Sequence, residues 1–206
     1  MMNNIEVEVR GPLSKKQYEH YKDFLSKKGL FVQEKRRVLI DYSTLMPEHD
    51  LEKRDKDIRI RVTNNISEIV VKLGSWGDKE ARKELSVTTS DSFDTLVQIF
   101  AAIGYQTGVL CVRNSMVYLY EDIEFALVEV PGHSYYFEAE LLISDRNKKN
   151  EAHEKIEFIC TKLGMTIFSS EKYFAYVRQL NQEANTVFDF AKYQEGYFKK
   201  TFHLDR

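Results

Sequence analysis

Hydrophobic and polar residues alternate over most of this chain, and stretches of helical spacing interrupt the alternation. Ile5, Val7 and Val9 share one face of a predicted strand, with Glu6, Glu8 and Arg10 on the other, before a turn at Gly11-Pro12. Ser14 is an N-cap candidate for a helix over 14–28, whose apolar stripe is Tyr18, Tyr21, Phe24 and Leu25 and whose stop is Gly29. Residues 30–43 read as a strand running into Asp41-Tyr42, and 44–56 as a polar loop with Pro47 and His49. Alternation resumes at 57–62, where Ile58, Ile60 and Val62 oppose Arg59 and Arg61. Asn64-Asn65 predicts a tight hairpin turn.

The next strand, 66–74, sets Lys72 against Ile69, Val71 and Leu73, and a turn follows at 74–77 around Trp76. Strand 80–88 carries Arg82 and Glu84 on one face, Leu85 and Val87 on the other. A second amphipathic helix covers 91–103 (Phe93, Leu96, Val97, Phe100) and ends at Gly104. Strands 106–120, which includes Arg113, and 123–130 lead to Pro131-Gly132. In strand 135–143, Tyr136, Glu138 and Glu140 face away from Tyr135, Phe137, Ala139, Leu141 and Ile143. Helices are predicted over 149–163 and about 170–182. The pattern gives about eight strands, mostly joined by hairpins. It predicts an α+β fold: an antiparallel sheet that curls or closes into an eight-stranded barrel, with helices packed outside. The tail 183–206, rich in aromatics, reads as an extension of a domain over 1–182; it could make a homodimer contact or cover one barrel mouth.

Composition adds limits. The chain has 206 residues, 43% hydrophobic and 30% charged, with a net charge of −2, so nothing points to nucleic acid or an anionic membrane as partner. Cys111 and Cys160 make neither a disulfide framework nor a zinc site. The five histidines have no metal spacing. The chain shows no signal-like or membrane-spanning run, and a cytoplasmic location is expected.

The polar faces are mostly Arg and Glu. Arg10, Arg59, Arg61, Lys72, Arg82 and Arg113 would match a polyanion if they faced inward, and Arg in particular suits phosphate. Glu6, Glu8, Glu84, Glu138 and Glu140 would repel that polyanion unless a metal bridged them, and Mg²⁺ suits that task. The other reading is internal ion pairing that fixes strand register.

The ordered series Glu6-x-Glu8-x-Arg10, Arg59-x-Arg61, Lys72, Arg82-x-Glu84, Arg113, Val130-Pro131-Gly132 and Glu138-x-Glu140 resembles the CYTH superfamily, the triphosphate tunnel metalloenzymes. Ser170-Glu171-Lys172-Tyr173 resembles the family's late segment, which begins a C-terminal helix beside the tunnel. The resemblance covers about residues 5–180. It implies an eight-stranded tunnel that binds a triphosphate-bearing small molecule with Mg²⁺ or Mn²⁺. Members include inorganic tripolyphosphatases, thiamine triphosphatases and class IV adenylyl cyclases. By position, Glu6, Glu8, Glu138 and Glu140 would serve the metal. Arg10, Arg59, Arg61, Lys72, Arg82, Arg113 and Lys172 would hold phosphates, and Glu84 and Glu138 are the catalytic candidates. Two departures bear on metal loading and turnover: Arg10 stands where the family has Lys, and Val128 where it has Asp. The expected activity is a metal-dependent triphosphate hydrolase, with an adenylyl cyclase or a non-catalytic triphosphate binder as the alternatives.

Overall fold

The computed structural model describes residues 5–45, 51–74 and 80–204. Pro47, His49 and the Trp76 turn lie outside the described residues. The alternating stretches are strands β1 (Ile5–Leu13), β2 (Leu30–Asp41), β3 (Lys56–Thr63), β4 (Ile66–Leu73), β5 (Glu80–Thr89), β6 (Thr107–Tyr120), β7 (Ile123–Val130) and β8 (Ser134–Ile143). The helical stretches are α1 (Lys15–Lys28), α2 (Phe93–Ala102), α3 (Lys149–Lys162) and α4 (Ser170–Glu183).

The strands run in the order β2-β3-β4-β5-β1-β8-β7-β6, and β6 returns to β2, so eight antiparallel strands close a barrel. Two hairpins are tight because their central residues accept positive φ: Asn64 and Asn65 at 50° and 66°, Glu121 and Asp122 at 53° and 63°. α1 starts where Ser14 and Gln17 form a reciprocal capping box.

Helices cover the outside in two groups. Val7 and Val9 of β1, Phe125 and Leu127 of β7 and Phe137 and Ala139 of β8 are buried under α1 and α3, against Tyr21, Leu25, Ile156 and Cys160. On the other side, Val38 and Ile40 of β2 and Ile60 and Val62 of β3 are buried under α2, against Phe93, Val97 and Phe100. With the apolar residues of these strands turned outward, the period of two sends their charged partners into the lumen.

The tail contributes to this second core. Thr186–Asp189 forms a ninth strand, β9, which pairs with Thr107–Leu110 of β6. β7 pairs only with Asn114–Tyr120 of the same strand, so β9 occupies the ladder that β7 leaves open. Tyr197–Phe202 forms a short helix, α5. Its Phe198 packs on Phe93, with ring centroids 4.9 Å apart, and Asp94 of α2 accepts hydrogen bonds from Tyr193 Oη (2.7 Å) and from the Lys199 backbone N–H (3.1 Å). No helix among the described residues is long and apolar enough to cross a membrane.

α4 takes its place through a close approach to β1. The Phe168 N–H donates to the Arg10 carbonyl at 2.8 Å, as the segment before α4 runs beside β1. A Cβ on Gly11 would lie 1.9 Å from the Thr166 carbonyl oxygen, so a side chain there would push that segment away. From this start α4 lies across one end of the barrel. Ser134 Oγ meets Tyr176 Oη at 2.8 Å, and His133 Nε2 meets Glu183 at 2.9 Å.

Candidate active site

The lumen holds two adjoining chambers. The first, of 200 Å³, is lined almost wholly by charge. Its cations are Arg10, Lys35, Arg37, Arg59, Arg61, Lys72 and Arg82, and its carboxylates are Glu6, Glu8, Glu84, Glu124, Glu138 and Glu140. The second, of 140 Å³, lies beneath α4 and shares Arg10, Arg37, Arg59, Ser115 and Glu138 with the first.

Five of the six strand cations expected from the sequence line the charged chamber; Arg113 lines the chamber under α4 instead. Arg113 donates to the Asn185 side-chain oxygen at 2.9 Å and to the Val112 carbonyl at 2.7 Å. Glu6, Glu8, Glu84, Glu138 and Glu140 all line the charged chamber. Lys172 is the exception. It is exposed in the first turn of α4 and lines neither chamber, because the helical period turns Tyr173, Tyr176, Val177 and Leu180 inward in its place.

The inward charges form a linked ionic network. Lys72 bonds Glu6 and lies 2.9 Å from Glu84. Arg61 bridges Glu68 at 2.6 Å and Glu84 at 3.4 Å. Arg10 bridges Glu8 and, at 3.2 Å, Glu138. Burial alone would raise Glu84, yet Lys72, Arg61 and Arg59 outweigh it and hold the carboxyl down to about 2. Burial likewise works against ionised Glu138, and Arg10 and Arg37 outweigh it and lower that carboxyl too. Lys72 is held above its usual range: burial opposes its charge, but Glu8, Glu6 and Glu84 prevail.

Glu140 behaves oppositely. It faces Glu8 across β1–β8 and Glu124 across β7–β8. Burial, with Glu6 and Glu8 adding repulsion and Glu124 a smaller share, pushes it up to about 8. Among the described residues, no three His, Cys, Asp or Glu side chains converge closely enough to hold a metal. The donor chemistry nevertheless fits a hard divalent cation. Glu8 and Glu140 are paired carboxylates whose repulsion such an ion would relieve, and phosphate oxygens would complete its shell.

Several lining residues were not singled out from the sequence. Lys35 and Arg37 come from β2 and Glu124 from β7, where Lys35 and Glu124 pair at 3.2 Å. The most consequential residue not singled out, Asp57, lines neither chamber but lies behind the wall. Its side chain is 1% exposed and takes three arginines: Arg54 at 2.8 Å, Arg82 at 3.1 Å and Arg59 through Nε at 2.9 Å. Arg54, itself buried, also bonds both oxygens of Asp41 at 2.8 Å. Asp57 thus fixes the guanidiniums of Arg59 and Arg82 from behind. Burial and neighbouring arginines together lower Arg59 to about 10, although Asp41 opposes the change. Asp57 shares its face of β3 with Arg59 and Arg61, so the alternation already contained it. Of the tyrosines, Tyr136 reaches the lumen, whereas Tyr42 packs outward against Phe100 in a stacked pair 5.1 Å apart.

Comparison with known proteins agrees with this architecture. The family model for the CYTH domain matches residues 4–174. No curated protein matches the chain. Among solved structures, the PH1819 protein of Pyrococcus horikoshii is 24% identical; the match covers 84% of this chain and 98% of that one, with a TM-score of 0.70. A Vibrio parahaemolyticus protein proposed to be an adenylate cyclase is 12% identical, with coverages of 79% and 90% and a TM-score of 0.58. HpAC1 of Hippeastrum, which has a dominant triphosphatase activity, is 14% identical, with coverages of 85% and 95% and a TM-score of 0.52. At these identities the solved structures establish the shared fold. The inward Arg and Glu strands, the closed barrel and a family match over most of the length converge on one statement: the chain belongs to the CYTH domain family.

Proposed function

We propose that this protein is a metal-dependent hydrolase of triphosphate compounds, acting in the charged chamber. The observation that carries this reading is the chamber's wall: seven cations and six carboxylates turned inward from β1 to β8. Such a lumen is costly to desolvate, and a polyanion with its metal is the ligand that matches both charge sets.

Arg59, Arg61, Lys72 and Arg10 surround the space and would bind non-bridging phosphate oxygens. Asp57 keeps Arg59 and Arg82 oriented before the ligand arrives, so little reorganisation is needed. Glu8 and Glu140 would hold Mg²⁺ or Mn²⁺, and that ion would neutralise phosphate charge and polarise the phosphorus. Glu138, at the junction of the chambers and ionised beside Arg10, would orient the attacking water. Arg10 cannot serve as a base, since guanidinium keeps its proton; it grips. Val128 contributes no carboxylate, so the metal would rest on β1 and β8.

The test is incubation with Mg²⁺ or Mn²⁺ and, separately, tripolyphosphate, thiamine triphosphate and ATP, with products resolved by chromatography. Orthophosphate release is expected, and Glu138→Gln should abolish it without unfolding the protein. Cyclic AMP with pyrophosphate would assign a cyclase instead. Absence of product with every substrate, while each still raised the melting temperature, would leave a binding protein.

A further inference from the structure

The chamber beneath α4 has a chemistry that phosphate binding does not use. Its barrel side is apolar at Leu39, Val109 and Val128, and its helix side at Val177 and Leu180. Tyr136, Tyr173 and Tyr176 contribute rings. Val128 is 2% exposed and packs with Val117, Ala126 and Tyr136 inside the barrel. The chamber opens at its neck onto Arg10, Arg37 and Arg59, which also line the charged chamber. Whatever hangs from a phosphate chain held there would project under α4.

The charge around this space selects further. Four guanidiniums border it, on Arg10, Arg37, Arg59 and Arg113, against the carboxylates of Asp41 and Glu138. Both carboxylates are engaged already, Asp41 by Arg54 and Glu138 by Arg10. Of the three tyrosine rings, that of Tyr173 already carries a cation, since the Arg10 guanidinium lies 5.0 Å over it. A cationic ring would therefore enter a positive field in which both carboxylates and one aromatic face are already engaged. A neutral planar ring would meet aliphatic walls and tyrosines. It would also meet Asn181 in the lining, whose side-chain oxygen accepts from Asn185 at 2.7 Å and whose amide NH₂ is a donor by its chemistry.

We infer that the chamber under α4 seats a neutral planar organic group, of the nucleobase class, joined to the triphosphate in the charged chamber. The inference rests on the function proposed above and narrows its substrate to an organic triphosphate with an uncharged ring. Val128 then has a positive role: an Asp there would place a charge in the wall of the ring's seat.

The test is titration calorimetry of the whole chain with Ca²⁺ in place of Mg²⁺, which bridges carboxylate and phosphate oxygens while holding back turnover, with ATP, inorganic tripolyphosphate and thiamine triphosphate as probes. ATP should bind at least about tenfold more tightly than either of the others. Val177→Trp, which fills the chamber from α4, should bring the ratio of ATP to tripolyphosphate affinity to within about threefold. Equal affinities for ATP and tripolyphosphate in the native chain would overturn the inference and leave the hydrolase reading standing. Tightest binding of thiamine triphosphate would overturn the preference for a neutral ring. An ATP advantage that survived Val177→Trp would place the ring elsewhere, and failure of every probe to bind would overturn both readings.

Discussion

The inner surface of this barrel has two unlike walls. On β1, β3, β4, β5 and β8 it is an ionic network in which Lys72, Arg61, Arg10 and Asp57 each hold two or more partners. On β6 and β7 it is partly apolar, with Val117, Ala126 and Val128 packed against Tyr136. The apolar wall is stable by burial alone. The charged wall is stable only while its charges balance, so each member depends on others. The first is insensitive to pH, and the second is not.

Substitutions on the two walls should differ accordingly. Asp57→Ala should have the largest effect, because it leaves Arg54, Arg59 and Arg82 without their shared carboxylate; urea unfolding should show a loss of about 3–5 kcal/mol. Val128→Ala, on the other wall, should cost about 2 kcal/mol and cost it equally from pH 4 to pH 8. A Val128 loss larger than that of Asp57 would break the contrast. Glu84→Gln should cost about 2 kcal/mol at neutral pH. Since Glu84 is held down to about 2, its contribution is present in full above the usual carboxylate range and is lost as the pH falls toward 2. Thermal melts of the variant should therefore converge with those of the native chain in acid and diverge near neutrality. Lys172→Ala should change stability and triphosphate affinity least, within about 0.5 kcal/mol, as it lies outside both chambers. A clear loss of triphosphate affinity there would mean that α4 presents a second face to the ligand.

The contrast also explains what could be read from the sequence. Where strands alternate cleanly, as at Glu6, Glu8, Arg59, Arg61, Glu138 and Glu140, one burial decision sets every side chain, and all of these line the lumen. β2 was harder because Glu34-Lys35-Arg36-Arg37 carries charge on both faces, so its inward Lys35 and Arg37 stood out only against Val38 and Ile40 further on. Arg54 lies in an irregular segment between strands, where no period applies; its bond to Asp41 is tertiary, and its bond to Asp57, three residues on, belongs to no helix or strand pattern. Four residues of β9 are too few to show a pattern, and they are a strand because β6 extends beyond β7. The chamber under α4 depends on how a helix crosses the barrel end. That crossing is set by a backbone contact at Gly11 rather than by any side-chain periodicity.

The strand order has a further consequence, for how the molecule is made. β1 sits between β5 and β8, and its register joins Ile5 to Ile143 and Arg10 to Glu138. The earliest of these strands therefore gains its second neighbour only when the last strand of the ring is available. Loop closure over such a separation makes folding slow, and until it is complete the β1 edge and the carboxylates on it stand open to solvent and to other chains. During synthesis the two halves of the Glu8–Glu140 pair meet late, so the chain completes most of its barrel before the repulsion that Glu140 meets from Glu6 and Glu8 has to be confined.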